Sequence, residues 1–94
     1  MNHVVELSGD LTFANVKAQR ESFFNSIVAA PWTFIVNLSH IKKMDSAGIA
    51  LLVDGMNKAN QLGKKMHYCQ MPELYKKLVT FYDLDGVITF QSNN

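Results

Sequence analysis

The chain has 94 residues, enough for one domain with a modest core and too few for two. Hydrophobic residues make up 48% and charged residues 18%, a balance that excludes a disordered polyelectrolyte. Nine basic residues against eight acidic give a net charge of +1, without the basic excess of a nucleic-acid binder, so no nucleic-acid partner is expected.

Residues 3–7 read as a short strand, ended by the turn chemistry of Ser8-Gly9-Asp10. Thr12 or Asn15 can cap a first helix running to about Val28, with Val16, Phe23, Phe24, Ile27 and Val28 on one face. Ala29-Ala30-Pro31 closes it, because proline cannot continue a helix. Residues 34–38 are almost continuously apolar and suit a strand covered on both faces. A polar turn follows, holding His40, Lys42 and Lys43. Asp45 and Ser46 come next, both good N-cap residues, directly before Ile49-Ala50-Leu51-Leu52-Val53.

The second helix is expected over about residues 47–62 and stops at Gly63. Ile49, Leu52, Val53, Met56 and Ala59 form its core stripe. Leu51 and Leu62 fall off that stripe, where either a neighbouring helix or a partner covers them. A strand is expected over about residues 66–70. It contains Cys69, the single cysteine, which excludes an internal disulfide and reads as a buried reduced thiol. Pro72 opens a third helix with Leu74, Leu78, Phe81 and Tyr82 facing inward. Residues 83–86 end it in a turn, residues 87–90 form a last strand, and residues 91–94 fray. The order β-α-β-α-β-α-β, without repeat or linker, describes one α/β domain over residues 1–94, built on right-handed crossovers and a mostly parallel sheet.

Little in this chain offers chemistry. His3, His40 and His67 lack the spacing of a metal site. Ser46 has a carboxylate beside it, but a nucleophile elbow would need glycine where Met44 stands. No glycine-rich phosphate loop is present, and Asp83 and Asp85 lack the later ligands of a calcium loop. No catalytic residue, metal or cofactor is therefore expected. The lysine pairs 42–43, 64–65 and 76–77 are dispersed and read as solvated faces. The N-terminus lacks a secretory core, and no apolar stretch approaches the ~20 residues of a membrane span. A cytoplasmic protein without membrane insertion is expected. What remains is Asp45-Ser46-Ala47-Gly48. A hydroxyl at the positive end of a helix can cap it or can carry a phosphate of roughly −1.5 to −2 charges. Residue chemistry alone favours the cap.

The run Val36-Asn-Leu-Ser39, followed by Met44-Asp-Ser-Ala-Gly-Ile-Ala-Leu-Leu52, resembles STAS domains. Gly63-Lys-Lys65 and Leu78-Val-Thr-Phe-Tyr-Asp-Leu84 extend the resemblance over about residues 5–90. That family includes bacterial anti-sigma factor antagonists, and it implies a small sheet with helices packed mainly on one face. Within it the chain is most similar to the MlaB type, the small STAS subunit of the Mla phospholipid-transport ABC system of Gram-negative bacteria. The similarity rests on Ala47-Gly-Ile-Ala-Leu-Leu-Val53, Gln70-Met-Pro-Glu73 and Leu78-x-x-x-Tyr82-x-Leu84. It implies a non-enzymatic accessory subunit that binds the transporter's ATPase, in a complex with the permease at the inner membrane, and supports assembly or activity. Ser46 matches the phosphoacceptor of the anti-sigma antagonists, so the alternative is a switch phosphorylated on Ser46 by a partner kinase. The implied docking face comprises Asp45, Ser46, Ala47 and Gly48, the helix side with Leu51, Asp54 and Lys58, and the preceding His40, Lys42 and Lys43. One departure stands out. STAS domains usually begin with a pair of strands, and here the first is absent or reduced to a stub at Met1-Asn2. A missing edge strand would leave its neighbour open to pair with a second copy as a homodimer.

Overall fold

Three apolar segments become three strands, and each is followed by a helix. The computed structural model describes residues 3–91. Its elements are β1 (His3–Leu11), α1 (Val16–Ala29), β2 (Thr33–Met44), α2 (Ser46–Gln61), β3 (Lys65–Cys69) and α3 (Glu73–Phe81). The strands pair in the order β1-β2-β3, and both pairings are parallel. A sheet that grows in one direction through right-handed crossovers keeps its connecting helices on one face. Burial follows that rule: Val5 and Leu7, then Phe34, Val36 and Leu38, then Met66 and Tyr68 are buried, while Val4 and Glu6 are exposed. Their neighbours Ile35, Asn37, His67 and Cys69 are half-buried on the helix-free face. The α/β class and the parallel sheet are thus as expected. Cys69 departs from its expected full burial, although partial burial, then the charge of Glu6, still raises its thiol pKa.

Several boundaries differ. β1 runs on to Leu11, so Ser8-Gly9-Asp10 is no turn. Register shifts between Glu6 and Ser8 and between Gly9 and Asp10 absorb the irregularity, with Gly9 at φ 83°. β2 likewise continues through the expected polar turn to Met44. The same shifts leave Leu38, Ile41 and Met44 buried at every third position, a spacing that hides the strand from a two-residue pattern. α1 buries only Phe23 and Ile27, and Val28 is exposed rather than facing the core. Asn15 makes no side-chain cap bond. Instead the Thr12 hydroxyl donates to Asn15 Oδ1 at 2.7 Å, and the Thr12 carbonyl accepts from the N–H groups of Asn15 and Val16. The expected last strand at residues 87–90 is reduced to one bridge between Phe90 and Tyr68. The stub at Met1-Asn2 and the fraying at residues 92–94 lie outside the described residues.

α2 is the central helix. Ile49, Leu51, Leu52, Met56 and Ala59 are all buried. It lies so close to its neighbours that a Cβ on Gly55 would strike the Phe23 ring and the Tyr68 hydroxyl. That hydroxyl donates to the Leu52 carbonyl at 2.7 Å, satisfying the polar tip of the largest fully buried side chain. Burial raises its pKa well above the ordinary value and keeps it a donor.

α2 and α3 end in the same way. The N–H of Gly63 bonds to the Asn60 carbonyl and that of Lys64 to Ala59; in α3 the N–H of Asp83 bonds to Thr80 and that of Leu84 to Val79. This is the paired closure of a Schellman motif. The inward side of α3 is Tyr75, Leu78 and Val79. Leu74, Phe81 and Tyr82, expected inside, are exposed. The 3.6-residue period does not fix the rotation of so short a helix.

Candidate functional site

The junction of β2 and α2 is built by Asp45. Its Oδ1 accepts from the N–H of Ala47 at 2.9 Å and of Gly48 at 3.3 Å, while Oδ2 accepts from the N–H of Phe13 at 3.0 Å. The Asp45 N–H in turn donates to the Leu11 carbonyl at 3.3 Å. One carboxylate therefore caps α2 and fastens the β1–α1 loop against it. The Phe13 bond is the main cause of a pKa held below the ordinary 3.8, with Gly48 and Ala47 assisting and partial burial opposing. Gly48 is buried because α2 meets the end of β1 there. A Cβ would collide with the Leu11 carbonyl and the Met44 side chain.

Because Asp45 supplies the cap, Ser46 is the first helical residue rather than the cap, and it is exposed. Its side chain stands at the end of a groove of about 310 Å³ lined by Ile49, Ala50, Val53, Asp54, Tyr82 and Leu84. The rest of the expected docking face divides. Asp54 is on the groove but is bound by Arg20 Nη1 at 2.6 Å, and Arg20 also lies over the Phe24 ring. Ala47 and Lys58 are half-buried on the same helix. Leu51 is 1% exposed and belongs to the core, so it is no part of an exposed helix side. Gly48 is also covered.

His40, Lys42 and Lys43 lie on β2 rather than in a loop. His40 Nδ1 is 3.6 Å from Glu6 Oε1, on the helix-free face, and about 13 Å along the strand from Met44. Lys43 stands in register with Asp10, and the Lys42 carbonyl accepts from the Tyr75 hydroxyl at 3.2 Å. His40 therefore lies on a different surface from the helix end. Phe13, Tyr82 and Leu84 were not among the expected site residues. Phe13 is 83% exposed beside Asp45, and Tyr82 is 45% exposed on the groove. An aromatic residue in the polar segment Thr12-Phe-Ala-Asn15 was the available signal for the first.

Among the described residues no group of three or more His, Cys, Asp or Glu gathers to hold a metal ion. No helix among them is long and apolar enough to cross a membrane.

The family model for the STAS domain matches residues 2–94. The fold is similar to that of the anti-sigma factor antagonist SpoIIAA in its unphosphorylated form, with TM-score 0.69 and 22% identity over 96% of this chain and 79% of that one. A sulfate transporter family protein from Wolinella succinogenes matches with TM-score 0.68 and 15% identity over 87% of this chain and 66% of its own. The STAS domain of a SulP transporter from Vibrio cholerae matches with TM-score 0.66 and 24% identity, covering 89% and 66% respectively. No curated protein matches the sequence.

Proposed function

Because the chain belongs to the STAS domain family, we propose that it is a non-enzymatic accessory subunit that works by protein–protein contact through the N-terminal end of α2. The partner is the cytoplasmic ATPase of a phospholipid-transport ABC complex, as the MlaB-type motifs imply, and the chain is held at the inner membrane by that ATPase and its permease. One observation carries the reading. The Ser46 hydroxyl is relieved of capping by Asp45 and stands exposed at the end of an apolar groove. A polar tip beside uncovered apolar surface, on a rigid helix terminus, suits a docking face. Co-expression with the cognate ATPase and permease, followed by purification through a tag on the ATPase, tests it. This chain is expected in the purified complex, and its deletion should lower transport. A complex that forms and works without it would sink the reading.

A second reading has its own support. SpoIIAA matches over 96% of this chain, and Ser46 presents the exposed hydroxyl that a kinase would need. The chain would then be an anti-sigma antagonist-type switch. Intact-mass measurement after incubation with candidate kinases and ATP separates the two. A phosphate on Ser46 that abolishes partner binding would favour the switch.

A further inference from the structure

The groove beside Ser46 has an uneven charge. Its floor is Ile49, Ala50, Val53, Leu84 and the Tyr82 ring. Asp54 lines the groove on α2, and Asp83, which lies in the chain between the lining residues Tyr82 and Leu84, and Asp85, which follows Leu84, are placed by that adjacency at its rim. Asp83 and Asp85 are exposed, and among the described residues neither has a cationic partner. The Asp85 carboxylate accepts from the Thr80 hydroxyl at 3.2 Å. Among the cations, Arg20 is committed to Asp54 and Lys76 lies over the Phe90 ring, while Lys58 on α2 and Lys77 on α3 do not line the groove.

We propose that this groove takes a basic, amphipathic helical segment of the partner protein, with an apolar side chain on the floor and Lys or Arg against Asp83, Asp85 and the free oxygen of Asp54. The proposal rests on the docking reading above and names the chemistry of the partner's side. Covering the groove strips water from the rim carboxylates. A neutral or acidic segment leaves them uncompensated, whereas a basic one replaces the lost water with charge-assisted bonds. A second copy of this chain would bring the same acidic rim against itself and is disfavoured on that ground. Apolar residues at helical spacing fit a groove between α2 and the end of α3.

Two synthetic helices of about 14 residues, long enough to hold some helix in water, test the charge preference. They share their leucines and differ in carrying lysine or glutamate. Each is titrated into the full chain while the methyl signals of Ile49, Ala50, Val53 and Leu84 are followed by NMR. The lysine peptide is expected to saturate with shifts centred on those residues and to weaken as salt is added. It should also weaken about tenfold in the Asp83→Asn, Asp85→Asn double variant. Ala50→Glu, at an exposed groove position, should remove binding without disturbing the rest of the spectrum. An equal response to the glutamate peptide, shifts centred elsewhere, or indifference to the double variant would overturn the proposal. So would self-association that fills the groove without peptide. Tagged-ATPase capture separates this idea from the docking reading. Capture by the native chain that survives undiminished in the double variant overturns the basic-segment proposal and leaves docking standing. Failure to capture the native chain removes the docking reading, and the peptide titration then decides the groove's chemistry by itself.

Discussion

Two side chains tie distant parts of the chain together. Asp45 serves three backbone donors, two in α2 and one in the β1–α1 loop. Asp45→Ala should cost about 1–2 kcal/mol, the usual loss for an N-cap, and should free the Phe13 loop; denaturant midpoints and amide exchange at Phe13 report the two effects. The pH dependence has a definite sign. A carboxyl whose folded pKa lies below its unfolded value contributes stability that is complete above the unfolded value and is lost as pH falls through the folded one. For Asp45 that window opens below the ordinary 3.8. Asp45→Asn keeps a capping oxygen and should show a flatter acid limb than the native chain in pH-dependent unfolding. Lys64 works at the other end of the molecule. Its Nζ donates to the carbonyls of Ile27 at 2.9 Å, Val28 at 2.8 Å and Ala30 at 2.6 Å, closing the C-terminus of α1 with a cation. Lys64→Met keeps the aliphatic stem and loses all three bonds, at an expected cost of about 1–2 kcal/mol in urea unfolding.

At the scale of elements, close approach and helix closure set the positions of α2 and α3. Gly48→Ala places a methyl against the Leu11 carbonyl, which is backbone and cannot swing aside. A loss at the upper end of about 1–3 kcal/mol is expected from thermal unfolding. The two Schellman closures differ at the left-handed residue: Gly63 at φ 72° in α2 and Asp83 at φ 58° in α3. Asp83→Gly should therefore raise stability by about 0.5–1 kcal/mol while weakening binding of the lysine peptide, so calorimetry and titration should move in opposite senses. These details also show what could be read from residues. The α2 signals were all local: Asp45 before an apolar run and Gly63 after it, and the helix lies between them. β2 beyond Leu38 was hidden because the register shifts opposite β1 replace alternation with a spacing of three, and pairing of distant segments leaves no local trace. Leu51 looked available to a partner because helical geometry locates a face but not what covers it. Phe13 and Tyr82 were missed because exposure of an aromatic residue depends on how the surrounding loops close.

At the scale of the whole molecule, the helix-free sheet face carries the His40–Glu6 pair, and the α2 end carries Ser46 and the acidic groove. The second combines an apolar groove with exposed carboxylates that have no cationic partner among the described residues. That asymmetry allows the two functional readings to be separated without knowing the partner. Ser46→Gln and Ser46→Glu add nearly the same bulk at the end of the groove, so the difference between them isolates charge. Neither should change the thermal midpoint by more than about 4–8 °C, because an exposed first-turn position tolerates both and a negative charge there contributes at most about 0.3–1 kcal/mol. Both should weaken capture by the ATPase through bulk. If the docked segment is basic, the glutamate variant should retain more binding than the glutamine variant, and added salt should erase the difference. A phosphorylation switch requires the reverse order, with the charged variant losing its partner and the neutral one keeping most of it. The order of the two variants in a salt-dependent capture assay therefore reports the sign of the charge that the partner brings to this face.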